Sequence, residues 1–148
     1  MNKNNRGFTL VEVLAVIVIL GILAGVGIPM VTRYIEKTRM QSYETMEETI
    51  YDGARNFILD ENIYLNNCTA GYTNLETTDN MLVDFQYVQN LTDPKDNSRS
   101  CSYNVYGCME SDDDGMSLAT YKYKVELTCL KYSHCGIYTD DGKMTNCS

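Results

Sequence analysis

Gly7-Phe8-Thr9-Leu10-Val11-Glu12 stands behind the polar leader Met1-Asn2-Lys3-Asn4-Asn5-Arg6 and runs straight into the apolar residues 13–31, and this stretch decides how the chain is built. Residues 13–31 carry no charge. At about 1.5 Å of rise per residue, a helix of that length can cross a hydrocarbon core roughly 30 Å thick. An ordinary secretory signal places its apolar core ahead of a small-residue cleavage point and discards it. Here the small residue at the boundary, Gly7, comes before the core.

Within the apolar segment Leu, Ile and Val predominate, interrupted by Gly21, Gly25, Gly27 and Pro29. These residues weaken a helix in water but are tolerated where neighbouring helices surround it. Gly21-x-x-x-Gly25 also fits the small-xxx-small spacing that lets membrane helices approach closely, although a lipid-facing glycine gives the same pattern. Glu12 is the anomaly. A carboxylate well inside a bilayer costs roughly 2.5 to 3.5 kcal/mol on insertion scales, so a partner should neutralise it unless it snorkels to the interface.

Taken together, the short leader with Lys3 and Arg6, the Gly7-Phe8 junction, the single acid Glu12 and the Gly27-Ile28-Pro29 exit resemble the prepilin signal of type IV pilins and pseudopilins. The resemblance implies that a prepilin peptidase cuts between Gly7 and Phe8, that Phe8 is N-methylated, and that Glu12 faces the new α-amino group of Phe8 in a neighbouring subunit. Opposite charges attract strongly in a low dielectric, and pairing removes the cost of leaving either alone. The expected assembly residues are therefore Phe8, Glu12, Gly21, Gly25 and Pro29. The resemblance also implies a filament of this chain with other pilins, drawn out of the membrane by an assembly platform and its ATPase.

Composition sets further bounds. With 148 residues the chain has room for one domain and an anchor. All six cysteines, Cys68, Cys101, Cys108, Cys129, Cys135 and Cys147, fall after residue 61, and an even count confined to a small segment reads as a disulfide framework formed outside the cytoplasm. A zinc site fits poorly because no Cys-x-x-Cys pair is present. His134, the single histidine, adjoins Cys135, and neighbours in a strand point to opposite faces, which argues against a Cys-His catalytic pair. No Gly-rich phosphate loop appears, so the chain is expected to be no enzyme and to need no metal or cofactor.

Cations flank the apolar segment on both sides, Lys3 and Arg6 before it and Arg33, Lys37 and Arg39 after it, so charge alone does not orient it. The cysteines do, placing the C-terminal part outside. The net charge is −8, and loss of the leader leaves ten basic against twenty acidic side chains. That balance disfavours nucleic-acid binding by the bare domain, and Lys122-x-Lys124, alternating with apolar residues, reads as a solvated strand face.

Beyond residue 31, Ile35, Tyr43, Met46, Ile50, Ala54, Phe57 and Ile58 form a helical stripe, with Arg39, Glu44, Glu47, Glu48, Asp52 and Arg55 on the other faces. One helix of roughly 80 Å over residues 8–61, or two helices broken near Gly27 to Pro29, would satisfy this pattern. Its apolar face suits a sheet better than a coiled-coil seam. Residues 66–80 read as a loop, Asp79 as the cap of a short helix reaching Gln86 with Leu82, Phe85 and Val88 inward, and residues 92–97 as a turn. Residues 102–106 and 118–130 alternate as antiparallel strands, and Asp140-Asp141-Gly142 marks a further hairpin. The fold class is α+β, divided as leader 1–7, membrane or filament-core helix 8–31, amphipathic half 32–61 and extracellular globular domain 62–148.

Leu82-Val83, Tyr87-Val88, Leu91, Asp93-Pro94, Cys101 and Tyr121-x-Tyr-x-Val-x-Leu-x-Cys129 look like the globular part of certain Gram-positive pilin-like proteins. In those relatives the cysteine before the first strand pairs with the one ending the next, which maps onto Cys101 and Cys129; the pairing of Cys68, Cys108, Cys135 and Cys147 stays open. The expected product is a single-pass membrane protein that becomes a surface filament, serving as major pilin or as minor pilin or pseudopilin in adhesion, secretion or DNA uptake. The alternative is a membrane-anchored binding module with calcium on Asp112 to Asp114, but three consecutive aspartates lack the D-x-D-x-D-G spacing that lets oxygens converge. The sequons at Asn67, Asn90 and Asn146 are short enough to arise by chance and are assigned no role.

Overall fold

The computed structural model describes residues 8–75, 81–110 and 120–147. The leader with Gly7, the expected cap Asp79 and the Asp112 to Asp114 run lie outside them. The chain divides into two compact units, Met1–Met40 and Gln41–Ser148. A single helix, α1 (Leu10–Glu61), contributes to both and continues through Pro29 rather than breaking there.

In the first unit the described apolar side chains stay exposed, from Phe8 and Leu10 to Tyr34, and the most hydrophobic window of the helix buries nothing within the molecule. The Thr32 and Thr38 hydroxyls donate to the carbonyls of Ile28 and Tyr34, one turn back, which satisfies them without water. Ile35 is 42% exposed, so the apolar stripe begins at Tyr43, later than its spacing suggests.

The second unit is α+β. From Tyr43 onward α1 buries Tyr43, Glu47, Ile50, Tyr51, Ala54, Phe57 and Ile58, steps of three and four that put them on one face. That face packs on a five-stranded antiparallel sheet. After a 3-10 turn at Cys68–Ala70, the strands are β1 (Thr73–Asn74), β4 (Ser102–Glu110), β5 (Thr120–Thr128), β6 (Ser133–Thr139) and β7 (Met144–Asn146), adjacent in that order. Register pairs Val105 with Val125 and Val125 with Gly136, so Val105, Tyr123, Val125, Leu127 and Tyr138 share the buried face. Tyr51 stacks on Tyr138 at 5.0 Å and meets Tyr123 edge-on at 5.2 Å, which ties helix to sheet.

Two glycines mark close approaches. A Cβ on Gly53 would lie 2.8 Å from the Tyr87 carbonyl oxygen and 2.5 Å from a Val88 methyl, so the segment after the short helix α2 (Met81–Asp84) can seat only on a bare backbone. A Cβ on Gly136 would crowd Tyr138 at 3.0 Å and stand 3.6 Å from a Glu47 carboxylate oxygen.

Several local expectations change. Residues 92–97 are not only a turn: β2 (Thr92–Asp93) and β3 (Asp96–Ser100) make a two-stranded hairpin around Pro94 and Lys95. The first long strand runs on to Glu110 because its partner continues opposite it to Thr120. Within 66–80 lie the 3-10 turn, capped by the Asn67 side chain, and β1. Leu82 and Val88 are buried, but Phe85 is 56% exposed. α2 stops short of it because Gln86 adopts φ 64 and the Tyr87 and Val88 amides donate back to Leu82. Lys122 and Lys124 are half-buried on the outer sheet face, pairing with Glu110 at 2.8 Å and Glu126 at 2.6 Å. Disulfides join Cys68 to Cys108, Cys101 to Cys129 and Cys135 to Cys147.

Candidate functional site

The N-terminal residues are placed by helix chemistry. Thr9 stands immediately before α1 and caps it: its side-chain oxygen accepts from the Glu12 amide at 3.3 Å, and its carbonyl accepts from Glu12 and Val13 at 3.1 and 3.3 Å. Thr9-x-x-Glu12 has the spacing of a capping box, and the carboxylate of Glu12 sits in the first turn, where the helix dipole favours a negative charge. Glu12 thus has a local helix-starting role in addition to any role between subunits. Phe8 is 82% exposed and one turn from it in sequence.

A Cβ added at Gly21, Gly25 or Gly27 would meet nothing within 4 Å. Among the described residues no packing requires these positions to be small, which leaves their faces open to a neighbour. Pro29 brings no amide hydrogen, so the Gly25 carbonyl one turn earlier loses its helical donor.

The prokaryotic N-terminal methylation motif matches residues 2–28. The type IV major pilin protein PilA of Myxococcus xanthus (strain DK1622) is 32% identical over 63 residues, covering 43% of this chain and 29% of that protein. These matches support the type IV pilin family. The chain spans under a third of the length of that relative, and no solved structure matches.

Two buried carboxylates hold the globular unit of this pilin-like chain together. Glu47 was expected on an outward face; the structure buries it to 1% exposure. It accepts hydrogen bonds from the Tyr132 hydroxyl at 3.2 Å and the Tyr138 hydroxyl at 3.3 Å, and the His134 Nδ1 lies 2.9 Å from both its oxygens. The bare backbone of Gly136 leaves it room. Burial, then the Glu47 charge, pushes both tyrosine hydroxyls above their ordinary range, keeping them as donors. His134 Nε2 lies 3.0 Å from the Asn146 side-chain oxygen, carrying the network to β7.

Asp93 is the second hub, fully buried. It accepts from the Lys95 amide at 2.7 Å, the Tyr43 hydroxyl at 2.8 Å and the Leu130 amide at 3.0 Å, so one carboxylate ties the β2–β3 hairpin, α1 and the β5–β6 turn. The Lys95 hydrogen bond above all, with those from Tyr43 and Leu130, holds its pKa below the usual carboxylate range against the opposing effect of burial. Its oxygens approach the sulfurs of Cys101 and Cys129 closely enough to suggest a metal-binding cluster. Those sulfurs are bonded to each other and supply no thiolate, which leaves a single carboxylate and no metal centre there.

Both hubs were missed in the sequence because an isolated Glu or Asp in a polar-looking stretch carries no sign of burial. The available signals were indirect: Glu47 falls at helical spacing between Tyr43 and Ile50, and the inward residues of β6 include a histidine, a glycine and a tyrosine. With its oxygens satisfied by hydrogen-bond donors of the same unit, each hub is an architectural group.

Proposed function

We propose that this chain is a structural subunit of a type IV pilus-like filament. A prepilin peptidase cuts between Gly7 and Phe8, Phe8 is methylated, residues 8–31 hold the subunit in the membrane, and the globular part beyond residue 61 folds outside. An assembly platform and ATPase then transfer the helix from lipid into a filament core shared with other pilins. The observation that carries this reading is the continuity of the methylation motif at residues 2–28 with a helix whose most apolar window buries nothing in its own molecule. Such a helix needs a non-aqueous surrounding, which lipid supplies before assembly and neighbouring helices supply after it.

Glu12 gives the test. Glu12→Leu removes an intramembrane charge and should insert as well as the native chain or better. Fibre yield, normalised to inserted and correctly cleaved subunit, should fall at least about tenfold, because the Phe8 amine of the neighbouring copy is left buried without its partner. An unchanged yield would show that apolar packing alone sets register. Quantifying this chain in purified fibres separates the roles: a major pilin dominates their mass, and a minor pilin or pseudopilin is a trace component.

A further inference from the structure

Beyond the apolar segment, α1 carries charge in two blocks. Arg33 and Lys37, both exposed, stand one helical turn apart, with Glu36 between them and the half-buried Arg39 just after. Glu44, Glu48 and Asp52, also exposed, form a stripe at successive turns away from the face that packs on the sheet. Like charges at this spacing repel. A helix stabilised from within would alternate their signs, yet no ion pair among the described residues involves Arg33, Lys37, Glu44, Glu48 or Asp52. The cationic block also lies on the side of the apolar segment where the disulfides are, although cations near a membrane span normally gather on the cytoplasmic side. The departure calls for an anionic partner, and residues 41–148 carry seven Lys and Arg against eighteen Asp and Glu.

We propose that this exposed face of α1 is a docking surface for a second copy of the chain, with Arg33 and Lys37 of one copy set against Glu44, Glu48 and Asp52 of its neighbour. The inference rests on the filament reading and deepens it. In a parallel array, a copy advanced by four residues, about 6 Å along the helix, brings its Phe8 amine level with the Glu12 of its neighbour. A copy advanced by seven residues, about 10 Å, brings Lys37 level with Glu44. In both contacts the cation lies N-terminal to the acid, so one sense of displacement serves both. The difference of about 4 Å is within the reach of a lysine stem. The two contacts together would favour one range of stagger between parallel neighbours, about 6 to 10 Å, in which the advanced copy supplies both cations.

Charge exchange tests this in the full-length chain expressed in a host with its own assembly machinery. Arg33→Glu with Lys37→Glu, and separately Glu44→Lys with Glu48→Lys and Asp52→Lys, should each lower fibre yield by about tenfold or more. Yield is normalised to subunit that is cleaved, membrane-inserted and disulfide-bonded, which removes any variant that fails to fold. The five substitutions combined should restore yield to within about threefold of the native chain. Normal fibres from either single block would overturn the proposal. So would loss without recovery in the combined variant, the outcome expected if the cations serve anionic lipid headgroups instead. Absence of fibres from the native chain would sink the filament reading itself, and this inference with it.

Discussion

The two ends of α1 share one secondary structure and differ in what surrounds them. Residues 13–31 carry no charge and their described side chains are exposed, with glycines at which an added Cβ would meet nothing within 4 Å among the described residues. Residues 43–58 bury one face only, and that face includes a carboxylate in contact with two tyrosines and a histidine. On the proposed reading, residues 13–31 are uniform because lipid tails or neighbouring helices would surround them, and neither asks for a specific polar group. The second half is particular because it must fit a sheet too small to hold a large core, and specific hydrogen bonds and disulfides make up the difference. Stability should therefore reside in Gln41–Ser148, and the apolar contacts of assembly in the helix that precedes it.

The largest effect on stability is expected from the pair Cys101→Ser and Cys129→Ser. Reopening a loop of 28 residues' separation should cost about 3 to 4 kcal/mol in the chain-entropy model, lowering the thermal midpoint of the full chain in detergent by roughly 15 °C. A shift of only a few degrees would move the weight of the account onto the carboxylate hubs. Next comes Glu47→Ala, which leaves Tyr132, Tyr138 and His134 without their shared acceptor and should cost about 2 to 3 kcal/mol by the same thermal measurement. An unchanged midpoint would show that water replaces the carboxylate at no cost.

A smaller effect concerns acid. Asp93 has its native pKa lowered, so its contribution is fully present above the ordinary carboxylate value of about 4 and is lost as pH falls through the lower native one. The chain should lose stability on acidification below about pH 4, and Asp93→Asn should flatten that dependence, read as thermal midpoint against pH. Asp141, held at about 2 chiefly by Lys143, is exposed and screened and should add little to that dependence. The smallest effect belongs to the other region: Glu12→Leu, which should cut fibre yield, should move the midpoint of the globular unit by less than about 0.5 kcal/mol equivalent. A large shift there would break the division of labour.

Legibility in the sequence follows the same division. The apolar run, its glycines and the alternation of Tyr121, Tyr123, Val125 and Leu127 announce a long helix and an antiparallel strand, because burial over many residues leaves a periodic record. The short hairpin of β2 and β3 leaves no such record: two residues on one side and five polar ones on the other read as a turn. Phe85 looks inward by composition, and only the left-handed backbone at Gln86 turns it out. Glu47 and Asp93 were invisible for a related reason. A buried carboxylate is recognised by its donors, and those come from residues 2 to 91 positions away in the chain. At the N-terminus the Gly7-Phe8 junction and Glu12 stand out because they interrupt an otherwise uniform pattern.

Processing at Gly7-Phe8 is read most plainly from the mass of the N-terminal peptide of the mature protein recovered from the cell surface. The expected product begins at Phe8 and is one methyl group heavier than the unmodified residue. Recovery of surface protein that still carries residues 1–7 would contradict it, because an uncut leader keeps the Phe8 amine from existing and leaves Glu12 without the partner on which assembly depends.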